Sequence, residues 1–275
     1  MFLSDFNMDS FVEDLFRDAR LDDRSSVILQ KRFGLDTPQT DTLQTLGDKY
    51  NITRERIRQL ESQAMRQVKD SIVNFNTVAI LKDYAEKHLS SVGGIRKDDV
   101  FIDELYSLLR PKKEKDIFGN QTRFVLYILG YPYFARENDA FYSFWYIDNT
   151  SRQAMNMWHD DITKNLVNVE QFEDAFRRVT TSSDISESIM ASFLSVSKRL
   201  GIGPYGDIGL AEWEEINPRT VRAKVFVLLK KENTPMHFTE IAKKIGSHAP
   251  TVHNELIKDS RFVLTGRGIY GLRPI

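Results

Sequence analysis

Apolar positions recur at helical spacing along most of the chain, and capping residues divide them into short segments. MDSFVEDLF, residues 8–16, reads as a short amphipathic helix. It is read as packing on the segment that follows in preference to binding a partner. Between Leu21 and Lys69 the pattern predicts three helices. Asp22 and Asp23 offer N-caps for SSVILQKRF, and Gly34 closes that helix. After a loop containing Pro38, with Asp41 and Thr42 as capping candidates, TLQTLGDKY forms a short helix. Gly47 inside it costs about 1 kcal/mol of helix propensity relative to Ala, a cost offset if the next helix crosses close over the bare Cα. Thr53 then opens a long helix. At about 100° per residue, Thr53, Ile57, Leu60 and Ala64 share one narrow face, with Met65 somewhat off it. Arg54, Glu55, Arg58 and Gln59 form a continuous polar strip on the opposite side, with Arg56 on its flank.

The C-terminal pattern is different. RTVRAKVFVLLKKE is an amphipathic helix, MHF an extended piece, and TEIAKKI a helix capped by Thr239 and closed by Gly246. Pro250 occupies the first turn of a further helix, TVHNELIKD. RFVLTGRGIYGL reads as two strands around Thr265–Gly266–Arg267–Gly268, whose glycines suit a tight hairpin. Helix, short strand, two helices and a hairpin make up the order of a winged helix.

The same order is read twice more between the two ends. In the first copy, 75–90 is a helix, GGIR an extended piece, and DDVFIDELYSLL and QTRFVLYILG are helices. YPYFARENDAFYSFWYI is then a hairpin turning at Asn138–Asp139. The second copy has a helix near 151–164, LVNV as its extended piece and EQFEDAFRRV as a helix. SESIMASFLSVSKRL follows with Asp184 and Ser186 as capping candidates, and GIGPYGDIGLAEW ends it. The expected fold is mainly α with small β-hairpins: an N-terminal helix-turn-helix followed by tandem winged-helix modules. The expected divisions are an acidic segment at 1–20, the helix-turn-helix at 21–74, and modules at 75–148, 149–216 and 217–275.

Charge sharpens this picture. The chain of 275 residues has a net charge of −1, from 38 Lys and Arg against 39 Asp and Glu. That balance hides opposed blocks: −3 over residues 1–20, −6 over 159–216 and +7 over 218–275. Only certain segments are therefore suited to meet a polyanion. The acidic third module is read as a spacer or protein-contact element. The absence of Cys excludes disulfide scaffolds, thiolate metal sites and cysteine nucleophiles. No apolar run approaches the ~18 residues of a membrane span. The acidic opening does not resemble an export signal, so a cytoplasmic protein without membrane contact is expected.

Candidate chemistry lies on the polar strip of the long helix. Arg can fork onto guanine, Gln can pair with adenine, and Glu can accept from a cytosine amine. Such a strip, placed at the start of a helix behind a tight turn, is what major-groove reading requires. The aromatic cluster 131–146 is read as hairpin core in preference to a platform for unpaired bases. The five His lie without metal-ligand spacing, and the phosphate-loop and dinucleotide glycine patterns are missing, so no catalysis, cofactor or metal is expected.

Two resemblances add to these readings. LDDRSSVILQKRFGLDTPQTDTLQTLGDKYNITRERIRQLESQAMRQVK resembles region four of the bacterial primary sigma factors, including KRFGLD, the TL…LG spacing and ITRERIRQLE. The resemblance implies that Arg54, Glu55 and Gln59 read base edges while Arg56 and Arg58 favour phosphates, with Thr53 at the helix start. It also implies a partner, the flap of the RNA polymerase β subunit. The chain departs from that family in Gln63 and Gln67, where a basic helix is usual, and in Gln44 and Thr45, where acids are common. The residues before Leu21 do not hold the family's promoter-melting module, so a complete initiation factor is not expected. The C-terminal segment is similar to the HARE-type winged helix of the polymerase delta subunit and of some chromatin and restriction proteins, through HFTEIAKKI, TVHNELIKDSRFVL and GRGIYGL. Its implied nucleic-acid face holds Thr251, His253, Asn254 and Lys258 on the recognition helix and Arg267 on the wing; docking on protein stays open for this module.

The expected function is a sequence-specific, double-stranded-DNA-binding transcription factor. The alternatives are a polymerase-associated adaptor or the DNA-targeting component of a restriction or modification system.

Overall fold

The computed structural model describes residues 7–166, 168, 170, 171, 174 and 185–273. The chain is mainly helical with small antiparallel sheets, and it divides into two compact units: Met1–Asn156 with Ala191–Val196, and Met157–Met190 with Ser197–Ile275.

The first unit opens with α1 (Met8–Asp18), which Asn7 caps by accepting from the Asp9 and Ser10 amides. Met8, Phe11, Val12, Leu15 and Phe16 recur every three or four residues and are all buried. They pack with Ala64 and Val68 of α4 (Arg54–Ser71) and with Phe124 of α7 (Lys115–Leu129) in one core. Phe16 meets Phe124 edge-on at 5.9 Å, and Phe11 meets Phe75 at 5.3 Å. Each such ring buried on folding contributes roughly 1.5–3 kcal/mol. Asp18, the last residue of α1, accepts from Ser71 at the end of α4 and from Asn74 just beyond it.

Between these helices, α2 (Asp23–Phe33) starts on Asp22, whose carboxylate accepts from the Ser25 amide at 2.7 Å, and ends at Gly34 in the left-handed region. The following loop is held by α7, since Asn120 and Gln121 donate to the carbonyls of Gly34 and Leu35. Arg32 ties the loop to α4 by donating to the Asp41 carbonyl and pairing with Glu61 at 3.0 Å. Then come α3 (Leu43–Tyr50) and α4, which share with α2 a small core of Ile28, Leu46 and Ile57.

A 3-10 turn (Ile72–Asn74) leads into α5 (Asn76–Ser91), β1 (Ile95–Lys97), α6 (Asp98–Leu109), α7, β2 (Tyr133–Ala135) and β3 (Phe144–Tyr146). The sheet order is β1-β3-β2, antiparallel throughout. Asp98 knits this region by accepting from Arg123 of α7 and from the Trp145 indole of β3, both at 2.8 Å. The hairpin turn forms on Asn138, whose side chain accepts from the amides of Ala140 and Phe141. α7 begins at Lys115, six residues before the expected QTRFVLYILG start.

In the second unit, and at its division from the first, the elements are α8 (Asn149–Asn165), β4 (Glu170–Gln171), α9 (Glu187–Val196), β5 (Leu200–Ile202) and β6 (Asp207–Leu210). Two expectations are corrected here. Glu170–Gln171 is a strand paired with β6 where a helix was expected to begin. The helix from SESIMASFLSVSKRL ends at Val196, because Ser197 turns the chain by accepting from the Arg199 and Leu200 amides and Leu200 enters the sheet. Asp184, and EQFEDAFRRV apart from residues 170, 171 and 174, lie outside the described residues.

The chain ends in α10 (Val221–Glu232), β7 (Met236–His237), α11 (Phe238–Ile245), α12 (Ala249–Lys258), β8 (Phe262–Gly266) and β9 (Ile269–Leu272) around a core of its own. Its sheet order, β7-β9-β8, and the β4-β6-β5 order before it match the strand arrangement of the first sheet. The cap of α11 is His237 and not Thr239: the ring Nδ1 accepts from the Thr239 amide, leaving Thr239 inside the first turn. Of the hairpin glycines only Gly268 has a positive φ, 73°. No helix among the described residues is long and apolar enough to cross a membrane.

Candidate nucleic-acid interface

The turn between α3 and α4 is built from backbone geometry. Asn51 takes the left-handed conformation with φ 52°, and its amide donates to the carbonyls of Gly47 and Asp48. The Ile52 amide also donates to Gly47, at 3.0 Å. A Cβ added at Gly47 would stand 2.8 Å from the Ile52 carbonyl oxygen. The close neighbour of Gly47 is therefore chiefly the turn, with the Arg54 amide next at 3.4 Å. Thr53 caps α4 by accepting from the Arg56 amide at 3.1 Å.

That geometry sends the first two turns of α4 outward. Ile57 is fully buried, while Thr53, Arg54, Glu55, Arg56, Arg58 and Gln59 are all exposed. The side chains are organised among themselves. Arg58 forks onto Glu55 with contacts of 2.8 and 2.6 Å, and Arg56 donates to Gln59 at 3.2 Å. Arg54 makes no ion pair or side-chain hydrogen bond among the described residues. The Arg58 guanidinium holds the Glu55 carboxyl below its usual range and is itself raised by it. Solvent screens an exposed pair of this kind, so the fork opens readily when another partner is offered.

The C-terminal residues fall into two groups. Thr251, Asn254 and Lys258 are exposed along one side of α12. His253 is half-buried, its ring 4.8 Å from Phe238 and edge-on to Tyr270, so it helps to seat α12 on the sheet. Lys258 is 3.9 Å from Glu255, which Arg222 also holds at 2.9 Å. Arg267 stands exposed in the two-residue turn between β8 and β9. A Cβ at neighbouring Gly268 would stand 2.6 Å from the His237 ring, which keeps that turn tight. Arg261, though counted in the basic block, is taken up by Asp259 and Glu214.

Two arrangements were not visible in the sequence. The aromatic cluster divides: Phe144 and Trp145 are buried, whereas Tyr133, Phe134 and Tyr142 are well exposed. Arg24 lies 4.9 Å above the Tyr50 ring, bracing α3 against α2. Neither leaves a local periodic signal.

The comparisons with known proteins fall on the same region. Residues 19–70 match the family model Sigma-70, region 4. RNA polymerase sigma factor SigA1 of Synechococcus elongatus is 39% identical over 66 residues, which is 24% of this chain and 16% of that protein. The chain thus covers about a sixth of the length of the curated relative it matches. No solved structure matches the chain. Residues 19–70 are thus similar to Sigma-70, region 4, and the similarity falls on the helices that carry the exposed strip.

Proposed function

We propose that this chain is a sequence-specific DNA-binding regulator of transcription initiation that reads duplex through the first two turns of α4. The observation that carries the reading is the outward-facing strip from Thr53 to Gln59, set behind a turn whose Ile52 carbonyl oxygen would stand 2.8 Å from a Cβ at position 47. Arg54, Glu55 and Gln59 read base edges, and Arg56 and Arg58 hold phosphates. The 217–275 module, read as a HARE-type winged helix, adds a largely electrostatic contact through Arg267, Lys258, Thr251 and Asn254, with His253 supporting α12.

Selection of binding sites from a random duplex pool by the full chain tests this. An enriched motif is expected, with Arg54→Ala and Gln59→Ala each relaxing it at a separate position. Salt-sensitive binding without any motif would overturn the base-reading assignment.

One observation favours a second reading, an adaptor that docks on RNA polymerase, for instance on the flap of its β subunit. Ile257 and Leu264 are 63% and 60% exposed on the C-terminal module, beside Lys258 and near Arg267. Nuclease-resistant co-purification with polymerase, together with no duplex binding, would shift the assignment to that reading.

A further inference from the structure

We propose that a cleft in the first unit is a nucleotide site, with arginines for the phosphate and aromatic rings for the base. The cleft has a volume of about 740 Å³, within the ~300–1,000 Å³ of small-molecule sites. One wall is the middle of α4, at Glu61, Ser62, Met65 and Arg66; the other is α7 with the β2–β3 hairpin.

Its charge is lopsided. Arg32, Arg66, Arg123 and Arg136 all line it, against Glu61 as the one lining carboxylate. Glu61 is engaged by Arg32, and Arg123 is held by Asp98 from behind the wall. Arg66 and Arg136 have no carboxylate partner among the described residues; Arg66 only reaches back to the Ser62 carbonyl at 3.3 Å. Two unneutralised guanidinium groups on one cleft suit a phosphate, which accepts their forked N–H pairs.

Aromatic rings line it as well, Phe33, Phe124, Tyr127, Phe134 and Trp145, beside Thr40, Ser62, Met65 and Asn120. Phe134 lies 4.7 Å from Trp145, and Tyr127 is 58% exposed at the cleft. Packing of the fold does not account for this exposure of Tyr127 and Phe134. A bare inorganic anion makes no use of the rings, and an uncharged apolar ligand makes no use of the arginines. A base joined to a phosphate uses both, since every base has a face that stacks on such rings. The same chemistry comes from a free nucleotide or from one nucleotide of an unpaired strand. Either occupant touches both α4 and the β2–β3 hairpin, so its presence braces the helix whose first two turns carry the proposed reading strip.

The test is calorimetric titration of the full chain with ATP, AMP, adenosine, inorganic phosphate and a short oligodeoxyadenylate. AMP or ATP is expected to bind roughly tenfold or more tightly than adenosine or phosphate, given ~1–3 kcal/mol for a stacked base. Arg136→Ala and Tyr127→Ala, both exposed and outside α4, should each weaken that binding by about tenfold. The folded content seen by circular dichroism and the duplex motif should stay unchanged in both variants. A single strand binding more tightly than ATP, and lost in the same variants, assigns the site to a strand; the reverse order assigns it to the free nucleotide. No nucleotide binding at millimolar concentration, equal binding of phosphate and ATP, or binding untouched by both substitutions overturns the proposal. Because the readout is ligand heat and not duplex recognition, it stands or falls separately from the DNA-reading assignment.

Discussion

Arg54 differs from Glu55, Arg56, Arg58 and Gln59 in making no side-chain hydrogen bond or ion pair among the described residues, so in the proposed reading it has no such bond to break first. Arg54→Ala is therefore expected to cost ~1–3 kcal/mol on the preferred duplex and little on others, and Gln59→Ala likewise at another position. Competition binding on single-base variants of the selected site checks both; a uniform loss on all sequences would assign these residues to phosphate. Gly47→Ala separates propensity from packing. Alanine gains about 1 kcal/mol of helix propensity, but its Cβ would press on the Ile52 carbonyl oxygen, which belongs to a rigid turn. Net destabilisation of ~1–3 kcal/mol is expected, visible as a lower Tm. At this scale much was legible: Asp22, Thr42 and Thr53 cap by their own side chains, and the polar strip follows from helical periodicity. The cap on α11 was not, because His237 acts through a ring nitrogen that cap preferences do not favour.

Between elements, Glu104 of α6 fastens α5 and β1. His88 Nε2 lies 2.7 Å from its carboxylate, and Arg96 forks onto both oxygens. Burial alone would raise this carboxyl, but the bonds from His88 and Arg96 outweigh it and hold the group at about 2. A carboxyl depressed on folding stabilises above its unfolded value, about 4.3, and loses that contribution as pH falls towards 2. At most about 3 kcal/mol is involved. Glu104→Gln should thus be least stable relative to the parent near neutral pH, with the gap closing below about pH 4.3 in denaturant titrations. A gap independent of pH would remove the charge from the account. For the wing, Arg267→Ala is expected to weaken binding equally on all duplexes and to flatten the salt slope by about one unit. The aromatics along 131–146 suggested a hairpin, which β2 and β3 form, but not which of its rings are buried. β3 is the middle strand of its sheet, and adjacent Phe144 and Trp145 are both buried, as a strand covered on two sides allows. The β4 strand was missed because two residues leave no period to read.

For the whole molecule, a net charge of −1 conceals a chain whose cationic groups serve different ends. Some, such as Arg32, Arg123 and Arg261, hold the fold through carboxylates, and others, such as Arg54, Arg136 and Arg267, stand exposed. Counting charge along the sequence cannot separate these, since pairing partners come from distant segments; the cleft escaped notice for the same reason. If both end modules engage one duplex, Arg56→Ala combined with Arg267→Ala should lower the log–log salt slope by about two units, against about one for either alone. A combined slope equal to that of one substitution would mean that only one module contacts the duplex. The Glu55–Arg58 fork carries a last consequence. If α4 reads duplex as proposed, a strip that satisfies itself while scanning has little to gain from random sequence, because grasping a phosphate with Arg58 would strand the Glu55 carboxylate against a negatively charged groove. Where a cytosine is in register, that penalty is cancelled, so residence time and not encounter rate should distinguish the right site from the wrong ones.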